Sequence, residues 1–165
     1  MFDLAITNGS LVTPSRVFPG TIYVKDGKIA AISDDPTLEA KESIDARDRL
    51  VFPGLIDCHA HLNDPGYLWR EDFPHGTAAA AVGGTTTIVD MPLQNEPALT
   101  NASVFDAKVK ALSGRSHVDY AFWGGLVENL ESLAELDEKG VVAFKAFIGP
   151  VSPDYSSVNM GLVRQ

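Results

Sequence analysis

The stretch GLIDCHAHLNDPG, Gly54 to Gly66, sets two histidines one residue apart at the close of an apolar run. A strand sends alternate side chains to the same face. As a strand, LIDCHAHL therefore puts Leu55, Asp57, His59 and His61 on one side. A His-x-His pair on one strand face can aim two imidazoles at a single metal ion, which suits zinc, iron and other borderline ions. The same pair can also be two hydrogen-bonded histidines closing a strand. Cys58 alternates to the other face and reads as a small packing residue rather than a ligand.

Downstream of Gly54 the text alternates strand with helix. DFPHGTAAAAVGG is an alanine-rich helix stopped by Gly83-Gly84, and TTTIVDM is a β-branched strand. Thr100 or Asn101 can cap a helix running to about Leu112, with Gly114 beyond its end. HVDYAFWGGLV is a third strand, Asn129 can cap ENLESLAELDEK, and VVAFKAFIG is a fourth strand. This alternation means βαβ units and a parallel sheet. Pattern alone leaves open two architectures: the first half of an eight-stranded barrel, or an open flavodoxin-like sheet. NMGLVRQ reads as a helix beginning, so the chain is expected to be an N-terminal fragment.

Upstream of Gly54 the text is strand and turn. FDLAI is followed by Asn8-Gly9 and SLVTP, and TIYVK by Asp26-Gly27 and KIAAIS. Asp-Gly between alternating apolar runs signals a hairpin. Residues 34–41 read as a loop and SIDARDRLVF as the last strand of the layer. The expected domains are residues 1–52, part of a small β-sandwich, and residues 53–165, four βα units.

Other residues carry weaker signals. Lys145 is the one polar residue of VVAFKAFIG, and an ammonium there is costly unless paired or neutral. It is either a lysine snorkelling from a sheet edge, or one with a depressed pKa fit for base chemistry, Schiff-base formation or carbamylation. Asp90 closes the strand TTTIVD as either a partner to a site residue or a loop cap. Asn63 and Asp64 sit in a Pro-Gly turn; His75 and His117 read as surface or packing residues, and Trp69 and Trp123 as core or pocket wall.

Thirteen basic against 22 acidic residues give a net charge of −9, which argues against nucleic acid or an anionic membrane surface as a partner. A single cysteine excludes an internal disulfide and points to a reducing compartment. With no apolar run near the ~18 residues of a membrane span, and no leader pattern, the expected location is the cytoplasm.

The DCHAH and VVAFKAFIG segments together resemble the cyclic amidohydrolases of the amidohydrolase superfamily, from the first strands through Lys145. That group includes allantoinase, dihydroorotase and dihydropyrimidinase or hydantoinase. The resemblance implies an α/β fold, the first half of a (β/α)8 TIM-type barrel preceded by part of a small β-sandwich. It implies metal ligation by His59 and His61. It also implies that Lys145, carrying CO2 as a carbamate, bridges two divalent metal ions, with zinc the default and cobalt, iron or manganese compatible. HLNDPG and GTAAAAVGGTTTIVDMPLQNEP favour the allantoinase branch. Dihydroorotases usually carry arginine where this chain has Asn63, and Met-Pro-Asn-Thr where it has Met91-Pro92-Leu93-Gln94-Asn95. An arginine suits a ring carboxylate; a neutral ureide suits an amide. Asn63 and Asn95 are thus expected substrate contacts.

The implied activity is hydrolysis of a cyclic amide, most simply allantoin to allantoate in purine catabolism. Hydantoinase, dihydropyrimidinase or dihydroorotase-like activity is the alternative, followed by a non-catalytic relative or an inactive fragment. The family's two further metal histidines and its catalytic aspartate come from strands beyond residue 165, so no catalytic residue is expected within the chain. The implied partners are a cyclic ureide and further copies of the chain, as a tetramer.

Overall fold

The computed structural model of the protein describes residues 1–35, 37–153 and 155–164. Its contacts divide into two compact units, Met1–Pro53 and Gly54–Gln165. The expected boundary lay one residue earlier.

The first unit is one mixed sheet of β1 (Phe2–Val12), β2 (Val17–Lys25), β3 (Lys28–Ser33), β4 (Ala40–Asp45) and β5 (Leu50–Val51). The order is β3-β2-β1-β4, with β5 also on β1. β1 runs antiparallel to β2 and parallel to β4 and β5. Asp26 and Gly27 both take positive φ, 50° and 72°, and join Lys25 to its partner Lys28 in the expected two-residue hairpin.

Asn8-Gly9 does not turn the chain. β1 runs straight through it, with Asn8 at φ 53° and the register slipping between Ile6 and Gly9, so the dipeptide forms a bulge. The bulge is held from outside: Asn8 accepts from the Asp48 amide and its side chain donates to Asp45. SIDARDRLVF is likewise two strands. The Asp45 carboxylate accepts from the Arg47 amide, and positive φ at Arg47 and Asp48 turns the chain between β4 and β5. Ala5, Leu11 and Tyr23 are buried, while Val17, Ile29, Ile32, Ile44 and Leu50 stay exposed. A single sheet layer leaves apolar surface uncovered in this way.

The second unit runs β6 (Leu55–Ala60), α1 (Phe73–Val82), β7 (Thr85–Asp90), α2 (Ala102–Leu112), β8 (Asp119–Gly125), α3 (Glu131–Lys139), β9 (Ala143–Lys145) and α4 (Met160–Val163). Its four strands are parallel in the order β6-β7-β8-β9. Each strand therefore lies beside its successor in sequence. That is the order of a (β/α)8 barrel, of which four strands make half, and not the flavodoxin order, in which the second strand lies outside the first.

Local chemistry sets the helix starts. Asp72 accepts from the His75 amide ahead of α1, and Asn101 from the Val104 amide ahead of α2. α3 starts at Glu131, after the Asn129 side chain accepts from the Glu131 amide. The core lies between strands and helices, where Phe73, Ile88, Leu112, Phe122 and Leu136 are buried with Leu62 and Leu99. No described helix is long and apolar enough to cross a membrane.

β6 and β9 are the sheet's outer strands, and on β6 Leu55 and Ile56 are 58% and 63% exposed. Open strand edges with apolar side chains invite further pairing. Produced as residues 1–165 alone, the protein is therefore expected to self-associate. Size-exclusion chromatography with light scattering checks this; a monodisperse, cooperatively unfolding monomer would contradict it.

Candidate metal centre

β6 ends at Ala60, one residue before the expected strand delivers His61. The β6–β7 register slips between Asp57 and Ala60, and the His59 amide donates to the Asp57 carboxylate at 3.0 Å. The strand is thus bent where its histidines stand. The two rings nevertheless come together, with centroids 5.4 Å apart and planes tilted by 49°.

Alternation places Lys145 on the same face of the sheet, on the opposite outer strand. Ala60 on β6, Phe122 on β8 and Phe144 on β9 all pack into the helix-side core. Their strand neighbours His59, Trp123 and Lys145 therefore face the opposite side of the sheet. The Trp123 indole spans β7 on that side, donating to the Cys58 carbonyl at 2.9 Å. The Lys145 ammonium lies 4.8 Å from the Phe147 ring centre. Its backbone carbonyl accepts from the buried Tyr155 hydroxyl at 2.6 Å and from the Leu126 amide at 2.9 Å. Burial pushes the Tyr155 phenol well above its ordinary pKa, so it donates at any working pH.

His61 differs from His59 in its burial. Burial lowers its pKa, the Asp90 carboxylate opposes that, and the charges of His59 and Lys145 lower it further. The ring is therefore neutral near pH 7 and keeps a lone pair. Its Nδ1 is buried with no hydrogen-bond partner. A buried orphan nitrogen is costly unless something binds it. Among the described residues no third His, Cys, Asp or Glu completes a metal cluster with these two.

Behind the histidines lies a buried polar network that sequence reading touched only in part. Asp90, at the end of β7, accepts from the Leu62 amide at 2.8 Å and from the Lys108 ammonium of α2 at 2.5 Å. Lys108 also donates to the Asn95 carbonyl at 3.0 Å. Asn95 in turn donates to the Met91 and Leu93 carbonyls. Asp90, Lys108 and Asn95 are 0%, 1% and 1% exposed. Asn95, expected to touch substrate, thus has its amide engaged within the chain. Lys108 was missed, although the signal was present: Val104, Lys108 and Leu112 recur at helical spacing on the packed stripe of α2.

The loop after the histidines is equally tied down. Asn63 is buried and its amide donates to the His61 carbonyl at 3.0 Å. Asp64, also buried, accepts from the Phe73 amide at the start of α1 and from Arg115 at 2.9 Å. Gly66 has φ 122°, and a Cβ there would stand 2.5 Å from the Glu96 amide nitrogen. Gly66→Ala should therefore cost about 1–3 kcal/mol of backbone strain, with displacement of this loop in addition. Urea unfolding of the two proteins checks the size; equal midpoints would show the loop to be slack.

The Amidohydrolase family model matches residues 50–148, the span that holds both histidines and Lys145. The chain belongs to the amidohydrolase family. Curated relatives of this amidohydrolase include an allantoinase of Desulfitobacterium hafniense (strain Y51), 45% identical over 88% of the chain and 33% of the relative. An allantoinase of Escherichia coli O1:K1 / APEC is 42% identical over 96% of the chain and 36% of the relative. Among solved structures, the L-hydantoinase (dihydropyrimidinase) from Arthrobacter aurescens superposes with a TM-score of 0.93 at 36% identity, covering 99% of the chain and 37% of that enzyme. The amidohydrolase chain thus spans about a third of the length of its relatives.

Proposed function

We propose that the full encoded protein hydrolyses the C–N bond of a cyclic amide with two divalent metal ions, and that its substrate is allantoin, opened to allantoate. The observation that carries the metal reading is the buried, unpartnered Nδ1 of a neutral His61 beside His59. Two allantoinases at 45% and 42% identity support the substrate.

His59 and His61 would offer imidazole lone pairs to one metal ion. Lys145, as a carbamate formed with CO2, would present carboxylate-like oxygens to the metal ions. Zinc is the default, and cobalt, iron or manganese suit the same donors. When bound, the metals supply Lewis acidity toward a ring carbonyl and bring the pKa of water down to about 7. Tyr155 holds the Lys145 main chain in place from behind. Asn63, beside His61 in sequence, would meet the neutral ureide. We place the protein in the cytoplasm as a homo-oligomer, a tetramer on the family resemblance, with no nucleic-acid or membrane partner.

Turnover of allantoin compared with hydantoin and dihydrouracil tests the reading. The structural match to an L-hydantoinase favours hydantoin as the second reading. Preference for hydantoin or dihydrouracil would replace the allantoin assignment. Asn63→Arg should lower allantoin kcat/KM by about 10- to 100-fold, by setting a bulky cation at the substrate's edge. Unchanged kinetics would remove Asn63 from the site.

A further inference from the structure

Lys108 is an ammonium with almost no access to water, and its contacts follow a pattern. One donor goes to Asp90 on β7 and one to Asn95 in the following loop, while the Phe122 ring centre lies 4.9 Å from the nitrogen. Neither acceptor is idle on its other side. The second oxygen of Asp90 holds the Leu62 amide, the residue next to His61. The nitrogen of Asn95 holds the carbonyl of Leu93, whose backbone lies beside the His61 ring. From one buried point on α2, one short relay therefore reaches the main chain next to His61, and a second reaches Leu93 beside its ring.

A buried lysine is an expensive way to fill a helix stripe. Val104 and Leu112 fill the neighbouring turns with hydrocarbon. A methionine of similar length at position 108 would fill the space without desolvating an ammonium. What methionine cannot do is join Asp90, which holds the loop after β6 at Leu62, to Asn95 in the loop after β7. Both loops sit at the carboxyl ends of their strands, where a barrel gathers its functional groups.

We infer that Lys108 is a positioning residue for the candidate metal centre: through Asp90 and Asn95 it fixes the His61–Leu62 segment and the His61 ring in the orientation that receives a metal ion. The inference rests on the metal reading of His61 proposed above. Groups that orient a ligating histidine typically change metal affinity by roughly 10- to 100-fold when removed.

The test compares Lys108→Met with Leu112→Ala in the full encoded protein. Leu112 is fully buried on the same stripe of α2, belongs to the apolar core, and has no side-chain polar group to join the network. Leu112→Ala thus lowers stability through packing alone. Three quantities are read: hydrogen exchange of the segment containing Leu62 in metal-free protein, Zn2+ affinity against a competing chelator, and the split between kcat and KM. Lys108→Met is expected to speed exchange at Leu62 about tenfold or more and to weaken Zn2+ binding by roughly 10- to 100-fold. It should lower kcat while KM stays within about twofold, because no group touching substrate is removed. Leu112→Ala should lower the urea midpoint and leave exchange at Leu62 and Zn2+ affinity near wild type.

Exchange and affinity within about twofold of wild type in Lys108→Met would overturn the inference. So would equal losses in Leu112→Ala, which would trace the effect to stability. Where Lys108→Met yields no folded protein, Asp90→Asn reads the same relay. It keeps the volume and weakens the tie to Lys108; unaltered exchange and affinity there would overturn the inference too. The exchange measurement needs no metal. A wild-type protein that binds no Zn2+ thus counts against the proposed function, whereas unaltered Leu62 exchange in Lys108→Met counts against the role of Lys108.

Discussion

Lys145→Ala in the full encoded protein is expected to lose nearly all cyclic amide hydrolysis while the fold survives. Two dications held close together repel, and an anion must lie between them. A lysine ammonium cannot serve, because it adds positive charge and has no lone pair. A carbamate on Lys145 can, since it is a long-armed carboxylate with two oxygens. Bound metals would be worth several kcal/mol of transition-state stabilisation, so the loss should reach roughly 1000-fold in kcat. A small carboxylic acid added to the alanine variant should restore part of the activity by standing in for the missing carboxylate. Lys145→Arg should not recover, because guanidinium stays charged and does not take up CO2. Circular dichroism and urea unfolding check the fold, for β9 keeps its pairing to β8 through backbone bonds that the substitution leaves alone. Near-normal turnover in Lys145→Ala would end the role assigned to this residue.

Asp90→Ala is expected to be the most destabilising single change in the second unit. Asp90 is the acceptor for the fully buried Lys108 and for the Leu62 amide at once. Removing it leaves a buried ammonium with the Asn95 side-chain oxygen but without its contacting counter-charge. Burial already pulls the Lys108 pKa below its ordinary value, with the Asp90 charge opposing. Without that charge the lysine must shed its proton or stay charged in a dry site. Breaking such a pair costs about 3–5 kcal/mol, a large fraction of a domain's stability. The double variant Asp90→Ala/Lys108→Met should be more stable than Asp90→Ala alone, since the stranded charge is gone. Urea midpoints for the wild type, both single variants and the double variant measure the coupling. Additive losses would show that the two side chains do not depend on each other.

How much of this was legible in the sequence depended on how local the cause was. Strands and helices of the second unit follow from period and capping residues, and the Asp26-Gly27 hairpin from two residues that tolerate positive φ. Asn8-Gly9 carries the same local chemistry and yet makes a bulge. What decides there is the Asp48 amide, 40 positions away in the chain, which pairs with Asn8 and keeps β1 running. Choosing the barrel order over the open sheet needed the pairing of β6 with β7 and β7 with β8, which periodicity does not encode.

The candidate site divides along the same line. His59, His61 and Lys145 announce themselves as polar residues at the ends of apolar strands. Asn95 was read as a substrate contact, and its tie to Lys108 was not legible because that partner comes from a different element. Asp90 was balanced between two roles until the Leu62 amide and Lys108 fell on its two oxygens. A carboxylate's duty is set by what folds against it, and that is a long-range fact.

The most direct test of the metal reading is the metal content of the full encoded protein, measured by inductively coupled plasma mass spectrometry beside allantoin turnover. The account predicts about two divalent ions per chain in active wild-type protein. It predicts a content well below that, with activity lost in parallel, in His59→Ala/His61→Ala. Wild-type protein that hydrolyses allantoin with no bound metal, or a double-alanine variant that keeps both ions and its activity, would contradict it.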